Sequence, residues 1–217
     1  MSVERKGGFM YVKQFMTTRV FTVSPDDNIA DTMALMREKG INRLPVVEKG
    51  KLVGIVTDGD LREVSPSPAT TLSIFELNYL VGKTPIRDVA VKKVITCSPD
   101  SKIEEAALLM RNHGIGALPV VEDDKLVGIV TETDIFDTFL DIMGFRSPGQ
   151  RFVIETKDEV GVMGELASII KEYDVNITSL AVYHLRDNKV QILCRLNGER
   201  VDEVNDKLVA KGYELIS

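Results

Sequence analysis

No apolar run in this chain approaches the roughly 18 residues that a membrane-crossing helix needs,. The opening stretch, MSVERKGGFMYVKQF, has no apolar signal core and no small-residue cleavage site, so nothing in it marks the chain for export,. Positive charge is not in excess. With 27 Lys and Arg against 33 Asp and Glu the net charge is −6, which argues against a nucleic-acid or anionic-membrane surface,. There are only two cysteines, Cys97 and Cys194, each in apolar, strand-like surroundings. That setting reads as buried free thiols in a reducing compartment, not as a disulfide or a metal site. The two histidines, His113 and His184, have no Ser/Cys–His–acid arrangement or metal-ligand spacing around them,. No Walker or Rossmann glycine pattern is present. His113 falls in the last turn before Gly114, where a polar or positive residue suits the helix dipole. These absences argue against an enzyme and lead to the expectation of a soluble, cytoplasmic protein with no catalytic residues, metal or obligatory cofactor.

What the 217 residues do contain is ordinary globular material, 44% hydrophobic and 28% charged, enough for two or three small cores,. They also contain a repeat. The segment VFTVSPDDNIADTMALMREKGINRLPVVEKGKLVGIVTDGDLRE aligns without gaps on VITCSPDSKIEEAALLMRNHGIGALPVVEDDKLVGIVTETDIFD, at an offset of about 74 residues. About two dozen of some 44 positions are identical, so one supersecondary unit is made twice,.

Each copy can be read physically. A short β-prone stretch (Val20–Val23, Val94–Cys97) leads into Ser-Pro-Asp, where Ser24 and Ser98 are expected N-caps with Pro25 and Pro99 at the first helical position. A helix follows, with Ile29, Met33 and Met36 on one face in the first copy and Ile103, Ala107 and Met110 in the second. Gly40 and Gly114 supply a left-handed stop. Then LPVV, a polar two-residue turn (Lys49-Gly50 or Asp123-Asp124) and KLVGIV predict an antiparallel hairpin. The unit closes with Thr-x-x-Asp and a second amphipathic helix, giving β-α-β-β-α. A unit of about 50 residues buries too little surface to stand comfortably alone, and the adjacent copy is its obvious partner. SPSPATTLSIFELNYLVGKTP, between the copies, reads as a linker with a short helix over Leu72–Val81.

The doubled LPVV…KLVGIVT-x-x-D unit resembles the cystathionine-β-synthase (CBS) domain, and the pair resembles a Bateman module. That resemblance divides the chain into a CBS domain over 10–66, a linker over 67–83 and a second CBS domain over 84–142. It implies two units packed sheet to sheet with pseudo-twofold symmetry. It further implies clefts between them for adenosine-containing ligands: AMP, ADP, ATP or S-adenosylmethionine as a regulatory ligand. By the same resemblance Asp60 and Asp134 hold ribose, and Thr57, Thr131 and Thr133 face phosphate. Thr22 and Thr96 sit beside the adenine, and Asn42-Arg43 and Gly116-Ala117 line the cleft. The chemistry suits these types: a carboxylate accepts from both ribose hydroxyls, and a helix start offers N–H groups to phosphate. Because the two dipeptides differ, the clefts are expected to be unequal, with Arg43 meeting a phosphate in one of them. A plainer reading stands beside this one: Thr-x-x-Asp at a helix start is close to a capping box and needs no ligand.

After FRSPGQ the pattern changes. RFVIET reads as a strand, KDEVG as a loop, and VMGELASIIKEY as an amphipathic helix with Met163, Leu166, Ile169 and Ile170 on one face. Two alternating strands around Arg-Asp-Asn-Lys, a helix ending at Gly212 and the final strand YELIS complete β-α-β-β-α-β, the ferredoxin-like split unit, over 150–217. The Gly161 turn, VMGELASII and the VNI containing Asn176 resemble the ACT domain, a regulatory module that often binds amino acids at a dimer interface. Gly161 and Asn176 are the residues that this resemblance would place in such a site. Val160 stands where that family commonly has proline, a departure that bears on amino-acid binding; dimerisation alone is the other reading. The expected fold class is therefore α+β, two CBS units followed by an ACT domain. The whole is similar to the acetoin-utilisation protein B type of regulator. That likeness implies a regulatory accessory protein tied to acetoin or small-carbon metabolism. The expectation is a non-enzymatic sensor and homodimer with an unidentified regulated enzyme and, from its charge, no nucleic-acid or membrane partner,. The competing class is an assembly module without a small ligand.

Overall fold

The computed structural model describes residues 10–64 and 82–216, so the expected linker helix over Leu72–Val81 lies outside the described residues. The chain divides into two compact units, Met1–Ile135 and Phe136–Ser217.

The first unit holds both copies of the repeat. In the first copy, helix α1 (Ile29–Lys39) is followed by the hairpin β1 (Arg43–Glu48) and β2 (Lys51–Thr57) and by helix α2 (Asp58–Val64). In the second, α3 (Ile103–His113), β3 (Ala117–Glu122), β4 (Lys125–Thr131) and α4 (Glu132–Ile142) repeat that order. Both turns place two residues in succession at positive φ, Lys49 and Gly50 in one and Asp123 and Asp124 in the other, the conformation that matches strand twist in a tight hairpin,. The same bulge interrupts both ladders, between Val46 and Val47 and between Val120 and Val121. Together the hairpins form one four-stranded sheet in the order β1-β2-β4-β3, with β2 and β4 meeting at Lys51 and Lys125. The copies thus share a sheet edge, where face-to-face sheets were expected.

Two local expectations change. Ser24 does not cap a helix: its Oγ accepts from Asp26 N at 3.3 Å and its own N–H donates to Asp27 Oδ2 at 2.8 Å. Ser-Pro-Asp therefore closes a turn on itself, the alternative that short polar side chains offer a backbone. The helix starts later, after Asn28, whose Oδ1 accepts from Asp31 N at 2.8 Å; in the second copy α3 begins after Lys102. The lead-in stretches are not full strands. Each makes one parallel bridge, Val23 to Val46 and Cys97 to Val120. On the helices, the buried faces run Ile29–Thr32–Met36 and Ile103–Ala106–Met110; Ala107 is only partly covered.

Packing exchanges the two lead-in segments. Val12 and Ile86 occupy equivalent places in the repeat, and both are 0% exposed. Val12 lies in the second copy's core, with Ile103, Leu118 and Val130. Ile86 lies in the first copy's core, with Ile29, Leu44 and Val56. Backbone bonds carry the exchange: Val12 N to Ser101 O at 2.9 Å, and Ile86 N to Asp27 O at 2.8 Å. The segments then cross the partner hairpin at its glycines. A Cβ on Gly54 would lie 3.3 Å from Val91 O, and one on Gly128 would lie 3.1 Å from Thr17 O. Each core thus includes a residue from ahead of the other copy.

In the second unit the order is β5 (Gln150–Lys157), α5 (Val162–Glu172), β6 (Asn176–His184), β7 (Lys189–Asn197), α6 (Val201–Ala210) and β8 (Glu214–Ile216). Its sheet is antiparallel throughout, in the order β6-β7-β5-β8. The core draws alternate residues from the central strands, such as Ile154, Ile192 and Leu196, against Leu166, Ile169, Ile170, Val204 and Leu208 of the helices. Met163 is off this face and 39% exposed; Val162 packs there in its place. The unit begins inside α4, ahead of FRSPGQ, because the end of that helix folds back on the sheet: Ser179 Oγ donates to Met143 O at 3.2 Å.

Candidate functional site

Each repeat ends its hairpin on a threonine and starts a helix at the next residue, and the cap between them is built the same way twice. Thr57 N and Thr57 Oγ1 donate to Asp60 Oδ2 at 2.8 and 2.7 Å, and Asp60 N donates to Thr57 Oγ1 at 3.2 Å. The corresponding distances for Thr131 and Asp134 are 2.8, 2.8 and 3.4 Å. The capping role is real in both copies, and it engages a single carboxylate oxygen, Oδ2, of each aspartate.

The two helix starts border two clefts of comparable size, built from interchanged parts. The first, about 380 Å³, lies between Thr131–Thr133 of the second copy and the lead-in segment of the first, including Arg19 and Phe21. The second, about 490 Å³, lies between Thr57–Asp60 of the first copy and the lead-in segment of the second, including Lys93 and Ile95. Each cleft is lined by residues of both copies. Both mix apolar side chains with a few convergent polar groups, the usual make-up of a small-molecule site. Arg19, Arg43 and Glu132 line the first cleft; Arg43, Lys93, Asp58 and Asp60 line the second.

Of the residues singled out in the sequence, Thr131 and Thr133 line the first cleft, and Thr57, Asp60 and Ala117 line the second. Asn42, Arg43 and Gly116 line both. Thr22 and Thr96 are exposed and line neither; their neighbours Phe21 and Ile95 do. The lead-in stretches bridge only at Val23 and Cys97, so the residue facing the cleft is set by that one contact and not by a strand's full alternation. Asp134 lines neither cleft, although its cap bonds match those of Asp60. Sequence reasoning passed over Arg19, Lys93, Asp58 and Glu132. The signal was there, since Arg19 and Lys93 are equivalent repeat positions, as are Asp58 and Glu132.

Arg43 and Gly116 touch across the wall between the clefts. An ideal Cβ on Gly116 would stand 2.8 and 2.9 Å from the two terminal nitrogens of Arg43, and 2.8 Å from Glu132 Oε2. A side chain at position 116 would make the guanidinium shift. The differing dipeptides, Asn42-Arg43 and Gly116-Ala117, are thus the two halves of one contact.

In the second unit, Gly161 has φ +101° at the start of α5, and Asn176 is the exposed first residue of β6. A hollow of about 550 Å³ lies elsewhere, on the sheet face opposite α5 and α6, among Val153, Leu193 and Tyr183 of the strands and Phe139 and Met143 at the end of α4. At the other side, Glu165 accepts from Tyr213 at 2.9 Å and pairs with Lys211 at 3.2 Å. Those bonds hold its carboxyl below the usual range, while burial and the neighbouring carboxylate push Tyr213 up to about 12. Burial also pushes the free Cys97 and Cys194 thiols up to about 11. Among the described residues no group of His, Cys, Asp and Glu is arranged to hold a metal, and no helix is long and apolar enough to cross a membrane.

Comparison with known proteins gives the clefts a context. The sequence matches the family described as "CBS domain" twice, over residues 12–67 and 86–141. Among solved structures, an acetoin utilization protein (AcuB) from Vibrio cholerae is 29% identical with a TM-score of 0.54, covering 65% of this chain and 98% of its own. CBSX2, solved in complex with AMP, is 31% identical with a TM-score of 0.52, covering 62% and 98% respectively. The CBS domain pair of protein MJ0100, solved with 5′-methylthioadenosine and S-adenosyl-L-methionine, is 28% identical with a TM-score of 0.50, covering 61% and 97%.

Proposed function

The chain belongs to the CBS-domain family, and from that premise we propose that it is a non-enzymatic sensor whose two clefts take adenosine-containing ligands. The observation that carries this reading is the pair of clefts of about 380 and 490 Å³, each walled by the hairpin end of one repeat and the lead-in segment of the other. The AMP complex of CBSX2 and the methylthioadenosine and S-adenosylmethionine complex of the MJ0100 pair support the ligand class. Within the clefts, Phe21 and Ile95 offer apolar surface to adenine, where Thr22 and Thr96 were expected. Asp60 offers Oδ1, the oxygen that takes no part in its cap, to a ribose hydroxyl. Thr133 offers a hydroxyl donor, with Arg19, Arg43 and Lys93 as cations for a phosphate, while Thr57 and Thr131 spend their hydroxyl protons on the caps,. Asn42, Gly116 and Ala117 shape the walls, and Asp134 serves its cap.

Such a ligand touches both repeats at once, so it shifts their arrangement to the extent that it binds one arrangement better. In our reading the second unit is ACT-like, a dimerisation element or a second small-ligand site near Gly161 and Asn176, and the protein is a cytoplasmic homodimer that acts on a partner enzyme. The similarity to AcuB is what supports a place in acetoin or small-carbon metabolism. One observation favours a role in assembly as well: Phe139 of α4 and Tyr183 of β6 in the second unit are 55% and 69% exposed.

A thermal-shift screen with AMP, ADP, ATP and S-adenosylmethionine tests the ligand reading. A ligand at 100 times its dissociation constant adds about 2.7 kcal/mol of stability. A rise in melting temperature with at least one compound is expected; none with any of the four leaves assembly as the function.

A further inference from the structure

The two clefts share a wall, and we infer that Arg43 sets their specificity for charge: one guanidinium serves both, so an anionic ligand in one cleft withdraws it from the other. This inference rests on the reading of the clefts as adenosine-ligand sites. It concerns what the repeat does not repeat. Arg19 and Lys93 give each cleft a private cation at equivalent positions, and Thr57 and Thr131 give each a hydroxyl. Arg43 has no such double, because Ala117 stands in its place in the second copy.

The geometry explains why the arrangement runs one way only. Arg43 projects from the first residue of β1 across the second copy, where Gly116 leaves 2.8 Å between a would-be Cβ and the nearest guanidinium nitrogen. The residue equivalent to Gly116 is Asn42, which carries a side chain where Gly116 has none. The two copies therefore differ at both positions of the contact. Arg43 is half-buried, so its charge is less screened than that of a surface arginine,. Its planar donors favour bidentate recognition of one anion in one plane. Glu132 Oε2 stands 2.8 Å from the same would-be Cβ and lines the first cleft, so an anion there also meets a carboxylate. The inference predicts that neutral adenosine ligands fill both clefts without reference to Arg43, whereas phosphorylated ones bind with negative coupling.

Isothermal titration of the full chain with adenosine and with AMP tests this, using wild type, Arg43→Met, Arg43→Lys and Gly116→Ala. For wild type the ratio of the two dissociation constants should be larger for AMP than for adenosine by about tenfold or more, the worth of one charge-assisted hydrogen bond. Arg43→Met should bring the AMP ratio down to the adenosine ratio. Arg43→Lys, which keeps a cation at that place, should retain part of the difference. Gly116→Ala, which dislodges the guanidinium without removing it, should reduce the difference as well. Equal ratios for the two ligands in wild type, or a difference that survives Arg43→Met, would overturn the inference while leaving the clefts as ligand sites. Failure of both ligands to bind wild type would overturn the cleft reading itself, and the inference with it.

Discussion

Asp60 closes on Thr57 through one carboxylate oxygen, which accepts from both the backbone N–H and the hydroxyl of the threonine at 2.8 and 2.7 Å. Asp134 and Thr131 repeat the contact at 2.8 Å each, but only Asp60 lines a cleft. Two equal caps thus stand in unequal positions, which separates structural from ligand roles. Asp60→Ala and Asp134→Ala should each cost about 1 kcal/mol of stability, the usual worth of a cap, in urea unfolding. Only Asp60→Ala should also weaken adenosine-ligand binding, by about tenfold or more. Equal losses of affinity in both variants would count against this placement.

The exchanged segments make a prediction about where damage travels. Ile86→Ala should cost about 2–5 kcal/mol, because the residue is fully buried,. Hydrogen exchange should speed up first in β1 and β2, far from Ile86 in sequence but in contact with it through the first core. Faster exchange confined to β3 and β4 would show that each segment belongs to its own repeat.

Close crossings make Gly54 and Gly128 sensitive. Gly54→Ala would bring a Cβ to 3.2 Å from Ala90 Cβ and 3.3 Å from Val91 O, and Gly128→Ala to 3.1 Å from Thr17 O. Overpacking of this kind costs about 1–3 kcal/mol. Both variants should lower the urea midpoint with an unchanged slope, and full retention of stability would mean that the segments yield at no cost.

The two thiols should be silent in the native protein. Burial raises both to about 11 from 9.0, so the protonated form is favoured on folding. The sign follows: their contribution is fully present below pH 9 and is lost as the pH rises toward 11. A disulfide-exchange reagent at pH 8 should label neither cysteine in native protein and both in denaturant. Rapid labelling of native Cys97 or Cys194 would contradict the burial.

Much of this was legible from residues alone. The hairpins were, because β-branched runs flank turn residues that tolerate positive φ. The Thr-x-x-Asp caps were, because the spacing permits little else. The differing dipeptides also announced an asymmetry, although its form, a guanidinium over a glycine, needed coordinates. What escaped were features decided by contacts remote in sequence. Ser24 satisfies its own turn before any helix begins, so the cap moved to Asn28. The single bridge at Val23 turned Phe21 toward the cleft and left Thr22 outside. Val12 and Ile86 read as ordinary apolar positions, and no local pattern says which repeat will bury them.

The central claim is that adenosine ligands occupy the clefts of the first unit. Methyl-labelled isoleucine spectra during an AMP titration test it most directly, since Ile41 and Ile129 line one cleft, Ile55 and Ile95 the other, and Ile154 and Ile192 the second unit's core. Saturable shifts at the first four, with Ile154 and Ile192 unmoved, are the predicted result; spectra in which the four cleft methyls stay in place at saturating AMP would contradict it.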